Sequence, residues 1–308
     1  MQHPDTAALT ALIAALRNDG YRFTTITPAS HARVATRWRG LGCGLADLFG
    51  WSRAVAPATI PEPVRAAAEV AGALLPRDGG IASTLRASSL DGALFLHSAW
   101  PTTAPDSVFF GPDSYRFARL ILSEMADAPP PRRILDIGAG AGVGGITAAL
   151  NAPGAELVLT DVNPRALHLA QANAAAVGLT AQTVHTSGAD AIEGEFDLAL
   201  LNPPFIIDEH DRAYRNGGGD LGTALPLALS RAAMERLAPG GRLILYSGSP
   251  IVQGVDSFRA RLAAAARERG CDLAYSELDP DILGEELERE AYDGVDRIAL
   301  ISAILARA

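Results

Sequence analysis

Two hydrophobic rhythms divide this chain. From Pro130 onward, short apolar runs alternate with longer segments of helical spacing. RRILDIG, AELVLTD, AQTVHTS, FDLALLN, RLILYSG, CDLAYSEL and RIALISAIL read as strands. Several are apolar almost without interruption, which is the pattern of strands buried on both faces of a parallel sheet. Between them GVGGITAALNA, NPRALHLAQANAAAVG, TALPLALSRAAMERLAPGG and VDSFRARLAAAARERG place apolar residues at helical intervals and end on Gly or Pro. The alternation predicts an α/β architecture, a seven-stranded doubly wound sheet. No helix separates the last two strands, so the last strand is expected to run antiparallel.

The first hundred residues follow another pattern. TAALTALIAALRNDG reads as an amphipathic helix closed near Gly20, and TPASHARVATRW as a second with Thr27 as N-cap and Pro28 in its first turn. PEPVRAAAEVAGALL reads as a third. In STLRASSLDGALFLHSAW, Asp91-Gly92 sits between two short runs and predicts a β-hairpin. The expected division is a small helical and β-hairpin domain over 1–105, with a substrate or accessory role, and a sheet domain over 106–308.

Composition changes this picture little. The chain has 308 residues, 48% of them hydrophobic and 20% charged, an ordinary globular balance. All 26 basic residues are arginines scattered along the length, and the formal net charge is −9. That acidity disfavours tight sequence-independent binding to a phosphate backbone. Two distant cysteines, Cys43 and Cys271, suggest neither a disulfide framework nor a metal site. With no leader or membrane span in the pattern, the expectation is a soluble cytoplasmic protein with no metal.

Chemistry concentrates where strands end. DIGAGAGVGG follows the first strand of the sheet domain and opens a helix, so glycines let a ligand approach backbone N–H groups. Gly140, Gly142 and Gly145 satisfy the dinucleotide spacing G-x-G-x-x-G, which alone would admit an NAD-dependent oxidoreductase. Asp136, Gly138, Gly140 and Gly142 also satisfy D-x-G-x-G-x-G, and an acid at the loop entrance suits a ligand bearing an amine. Asp161 ends the next strand, where a carboxylate accepts hydrogen bonds from a ribose diol, and Asn163 follows it. Asp161 could equally cap the helix that starts beside Asn163.

FDLALLNPPF raises a different question, because a core strand needs no Asn-Pro-Pro-Phe ending. Two prolines fix two φ angles and leave spare carbonyls. Hydride transfer has no use for such a corner; alkylation of a planar nitrogen does. The Asn202 side-chain oxygen and the Pro203 carbonyl offer two acceptors, and Phe205 a ring that stacks on a flat amide or amine.

ILDIGAG together with LLNPPF resembles the class I S-adenosylmethionine-dependent methyltransferases of the amino-methylating kind, over about residues 106–308. The run from Asn202 through GGGDLG to RLILYSG is further similar to the HemK-type glutamine N5-methyltransferases of release factors and ribosomal proteins. The resemblance implies a Rossmann-like domain. It implies S-adenosyl-L-methionine as cofactor and S-adenosyl-L-homocysteine as product. By it, Asp136, Gly138, Gly140, Gly142, Asp161, Asn163 and Asn202 line the cofactor, and Asn202, Pro203 and Phe205 hold the target nitrogen. The implied acceptor is a protein glutamine amide or another amide or amine, with an rRNA nucleobase amino group as the alternative. Phe205 departs from the tyrosine usual in the HemK group, and Ser187-Gly188 stands where an acid is usual. Asp190 lies out of register for an adenine contact. His210, Arg212 and Arg215 fall in a charged loop beyond the corner, read as substrate-facing or simply solvated. Phe110 and Tyr115 read either as a cover for the cofactor or as core. An acidic insertion, ELDPDILGEELEREAYDGV, is expected to rim the same edge and to favour a basic protein surface over RNA.

Overall fold

A computed structural model describes residues 5–189, 192–208 and 215–308 of the chain. Packing divides the chain into two compact units. One contains the residues up to Arg116 with the short stretches Gly140–Val143 and Pro164–Ala181; the other contains Phe117–Ala139, Gly144–Asn163 and Gln182–Ala308.

In the first unit, α1 (Thr6–Asn18) buries Leu9, Leu12, Ile13 and Leu16, the one-face spacing of the sequence. Asp5 caps its start by accepting from Ala7 N, and Gly20 follows its end at φ +72°. The helix α2 (Pro28–Ala35) is capped as expected, with Thr27 accepting from Ser30 N. The third helix is shorter than the sequence pattern implies. Helix α3 (Glu62–Val70) stops before Gly72 at φ +59°, and the apolar Leu74-Leu75 that follow belong to a strand. That strand, β1 (Leu74–Arg77), pairs antiparallel with β2 (Gly80–Ser83) through a two-residue turn at Asp78-Gly79. Both turn residues have positive φ, as type I′ requires, so this hairpin carried the same Asp-Gly signal as the expected one. The expected hairpin forms from β3 (Leu85–Leu90) and β4 (Ala93–Ser98) about Asp91-Gly92. Helix α4 (Pro112–Met125) begins in this unit.

The second unit is built on the sheet. Its strands are β5 (Arg133–Ile137), β6 (Glu156–Asp161), β7 (Ala181–His185), β8 (Phe196–Leu201), β9 (Leu237–Val252), β11 (Cys271–Asp279) and β12 (Arg297–Arg307). A two-residue strand, β10 (Val255–Asp256), pairs with the end of β9. The order across the sheet is β11-β12-β9-β8-β5-β6-β7. Strands β6, β5, β8 and β9 run parallel, and the last strand β12 is antiparallel to both neighbours, β9 and β11. This is the doubly wound, Rossmann-like arrangement expected, with the final strand reversed.

Burial follows sequence pattern strand by strand. In β8 every residue but Asp197 is buried, whereas β7, the weakest strand by pattern, lies at the sheet edge with no residue fully buried. Residues Leu135, Ile137, Val158, Ala199, Leu201, Leu243 and Leu245 share one core with α7 (Ala224–Met234) and α8 (Ser257–Glu268). The opposite parity meets α5 (Val143–Leu150). A Cβ at Gly145 would lie 2.6 Å from Leu159 and 2.9 Å from Leu157, so this glycine is what lets helix and strands touch. Strand β9 begins earlier than expected, because Leu237 already pairs beside Phe196 across an irregularity.

Helix α6 (Pro164–Ala176) belongs to the first unit. There Asn173, 1% exposed, receives Leu96 N–H and donates to the carbonyls of Leu96 and Ala141. Asn173→Ala would leave three buried backbone groups unpaired, at about 1–3 kcal/mol each before relaxation. The expected outcome is a loss of about 3 kcal/mol or more in urea unfolding of the ligand-free protein. Among the described residues, no helix is long and apolar enough to cross a membrane.

Candidate active site

Register, not sequence proximity, assembles the site. Ile137 pairs with Thr160 on one side and with Leu201 on the other. The next residues along the three parallel strands are therefore Asp161, Gly138 and Asn202, side by side at the carboxyl edge. Neighbouring strands lie about 4.8 Å apart, so Asp161 and Asn202 flank Gly138 at roughly that spacing. Tyr246 extends the row, because Leu201 pairs with Leu245. The order of connection reverses between β5 and β8, the switch point at which ligands of open α/β sheets sit.

Gly138, Gly140 and Gly142 all have positive φ, at +68°, +55° and +81°. Gly138 is exposed, and a Cβ built on it or on Gly140 meets nothing within 4 Å. Open space in front of a strained glycine turn fits a ligand laid against backbone. Asp136 is only 2% exposed and its Oδ2 accepts from Gly145 N at 2.7 Å, tying the strand to the start of α5. Burial pushes its carboxyl up to about 7, helped by the nearby Asp161 charge and opposed by the Gly145 N–H. Asp161 is half-buried and its Oδ1 accepts from Asn163 N at 2.8 Å, a local turn that leads into α6. Asn163 is likewise half-buried.

Beyond the row, the corner is packed from behind. Asn202 is half-buried, Pro203 buried and Phe205 8% exposed. The Phe205 ring rests on Gly248 of β9, where a Cβ would fall 2.4 Å from the ring. The chain then returns beneath its own corner. Gly217 N–H donates to Ile206 O at 2.7 Å, and Ile206 and Asn216 form an isolated parallel bridge. A Cβ at Gly217 would overlap Gly222 O, and one at Gly222 would lie 2.5 Å from Phe205 O. The glycine-rich stretch after the corner is thus a backbone-to-backbone brace, a role that the sequence pattern did not disclose. Gly248 was also missed; its signal was a lone glycine inside an apolar strand.

Other expected residues fall elsewhere. Phe110 is a core residue of the first unit, 2% exposed and stacked on His97 at 5.1 Å; Tyr115 Oη accepts from Thr25 N there. Arg215 is not a solvated cation: it pairs with Asp208 at 3.5 Å and with Glu286. Asp190, His210 and Arg212 lie outside the described residues.

Known proteins similar to this chain include methyltransferases. Residues 107–251 match the family model of the methyltransferase small domain. This segment spans β5 to β8, nearly all of β9 and the row of strand ends just described, while β11 and β12 lie beyond it. Among curated relatives, the release factor glutamine methyltransferase of Bradyrhizobium diazoefficiens is 37% identical over 147 residues, 44% of this chain and 48% of that protein. That of Deinococcus radiodurans is 32% identical over 188 residues, 57% of this chain and 63% of its own. The ribosomal RNA small subunit methyltransferase C of Pseudomonas entomophila is 33% identical over 141 residues, 44% and 39% respectively. The chain thus spans less than two thirds of each of these three. Among solved structures, TYW2 of M. jannaschii in complex with AdoMet superposes with TM-score 0.50 at 14% identity, over 73% of this chain and 87% of that one. This likeness is one of fold.

Two outcomes follow from the packing. Asp136 holds a proton in the folded chain up to about pH 7, whereas the ordinary carboxyl loses it near 3.8. The native state therefore binds more protons between those values, and stability falls as pH rises through that window. Asp136→Asn keeps an acceptor for Gly145 N–H without the charge. Its melting temperature should gain on the parent from about pH 4 to about pH 7 and run parallel above. Gly248→Ala should force the Phe205 ring aside and cost about 1–3 kcal/mol in chemical denaturation.

Proposed function

We propose that the protein transfers a methyl group from S-adenosylmethionine to a planar nitrogen, with a protein glutamine amide as the favoured acceptor. The observation that carries this reading is the row Asp161–Gly138–Asn202 ending in a rigid two-proline corner. In it, Gly138, Gly140 and Gly142 bring backbone against the amino-acid end of the cofactor, buried Asp136 ionises more readily as the cofactor's amine approaches, and Asp161 and Asn163 meet the ribose side. The cofactor supplies an electrophilic sulfonium methyl. Asn202 borders both ligands: its Oδ1 and the Pro203 carbonyl accept the two N–H groups of the acceptor amide, and Phe205 stacks on its plane. Those contacts aim the nitrogen lone pair at the methyl. Transfer would form the N–C bond as the S–C bond breaks, with S-adenosylhomocysteine as leaving group, and the acceptor's proton would pass to water afterwards, so this chain need supply no general base before attack. Holding two reactants in line can account for several kcal/mol of the barrier, about 7–11 in the most favourable cases.

Relatives named as release factor glutamine methyltransferases support the amide acceptor, as does the net charge of −9. A second reading, an rRNA nucleobase amino group, is favoured by two observations: Phe205 offers a plain ring without a hydroxyl, and a relative named for ribosomal RNA also matches. Residues 1–105 would act as the accessory or substrate domain in either case.

Calorimetry on ligand-stripped protein should show binding of S-adenosylmethionine and S-adenosylhomocysteine. Asn202→Ala should change those affinities by only a few-fold while slowing methyl transfer about 100-fold or more. Labelled methyl from the cofactor should enter protein, not rRNA, in extracts of cells lacking the gene; label confined to rRNA selects the second reading. Absence of binding to both cofactor forms overturns the proposal altogether.

A further inference from the structure

The acidic insertion between β11 and β12 does more than present charge. It forms two single turns, Gly284–Glu288 and Glu290–Tyr292, and is anchored where Ile282 N–H donates to Ile298 O. Its outward carboxylates, including Glu285, Glu288, Glu290 and Asp293, are exposed, yet Glu286 is 3% and Tyr292 1% exposed. Those inward side chains, with Arg289, reach the chain just past the Asn-Pro-Pro-Phe corner. Tyr292 Oη accepts from Ile207 N at 2.8 Å, and Arg289 donates to Ile207 O at 2.6 Å. Both backbone groups of one residue are thus held by one insertion. Glu286 carries the charge balance: it receives Arg289 at 2.5 Å and also Arg215, which reaches buried Asp208. The hydroxyl of a fully buried tyrosine, used as an acceptor for a backbone N–H, has no packing purpose that phenylalanine would not serve.

We infer that Arg289 and Tyr292, set by Glu286, are positioning residues that fix the corner from behind through Ile207. This rests on the methyl-transfer reading for its catalytic consequence, but not for its structural one. The corner's inner side is fixed by Gly248 under the Phe205 ring and by the Gly217–Ile206 bond. Its outgoing end, five residues from Asn202, has Ile207 fixed at both polar atoms. A corner that must hold a flat nitrogen in line tolerates little drift, since displacement of about 1 Å can cost about 100-fold in rate. The insertion supplies rigidity where prolines no longer do.

The test uses the full chain. Tyr292→Phe removes only the acceptor for Ile207 N–H; Arg289→Ala removes the donor and Arg289→Lys restores one. Hydrogen–deuterium exchange of the segment 202–208 and affinity for S-adenosylhomocysteine are measured, together with the rate of transfer of labelled methyl into protein of an extract from cells lacking the gene. The expected result is at least tenfold faster exchange in Tyr292→Phe and Arg289→Ala, with homocysteine-product affinity within twofold. Transfer should fall at least tenfold in kcat with little change in KM, and Arg289→Lys should recover part of it. Unchanged exchange in folded Tyr292→Phe overturns the brace, and faster exchange with undiminished transfer overturns the positioning role. Failure of the parent protein to bind either cofactor form overturns the methyl-transfer reading and leaves the exchange result to decide the brace. Should Arg289→Ala not fold, Tyr292→Phe and Arg289→Lys decide it.

Discussion

Three parallel strands held in one register carry the rest of this structure. Backbone hydrogen bonds fix Ile137 between Thr160 and Leu201, and so bring Asp161, Gly138 and Asn202 to one edge although they are far apart in sequence. A slip of one residue in either pairing would move a neighbour by a full strand step and turn its side chain to the other face. Such a slip is opposed on both faces at once. One parity of β5, β6 and β8 packs into the core shared with α7 and α8, and the other parity of β5 and β6 meets α5 through Gly145. Burial on two faces is thus what makes the edge reproducible.

Rigidity at that edge comes from close backbone approach, and glycine is the device used each time. Gly145 admits the helix to the sheet, Gly248 admits the Phe205 ring, and Gly217 and Gly222 admit the returning chain beneath Phe205 and Ile206. The prolines stiffen Asn202 to Phe205 from within the chain, and these contacts stiffen it from outside. Asp136 illustrates a second economy. Its buried carboxyl ties β5 to α5, and the same burial raises its proton affinity, so a charge near the glycine turn is held in reserve near neutral pH. A cationic amine approaching that turn would favour the ionised form.

The acidic insertion shows charge put to two uses. Outside, its carboxylates face solvent. Inside, Glu286 and Asp208 are nearly sealed from water and lie against arginines, Arg215 pairing with both and Arg289 with Glu286. Removing one partner of such a cluster exposes the other to the full cost of burial without compensation, so the cluster holds its geometry tightly. Arg215, read from the sequence as substrate-facing or solvated, is instead committed to this internal pairing.

Much of this was legible in the linear pattern. Unbroken apolar runs fixed which segments become central strands, because only a residue shielded on both faces can be apolar at every position. The glycine turn, the Asp161 strand end and the two-proline corner were visible for a similar reason: Gly, Pro and strand-terminal polar residues restrict φ and hydrogen bonding locally, whatever surrounds them. Where α3 stops was less visible, because Leu74-Leu75 suit helix and strand alike and only the pairing of β1 with β2 decided between them. Arg215 pairing with Glu286 across 71 residues left no local trace. The purpose of Gly248, and the hold of Arg289 and Tyr292 on Ile207, were equally silent. Chain sequence determined what each segment could become; contact between distant segments, which no local periodicity encodes, decided which polar groups were consumed in building the edge.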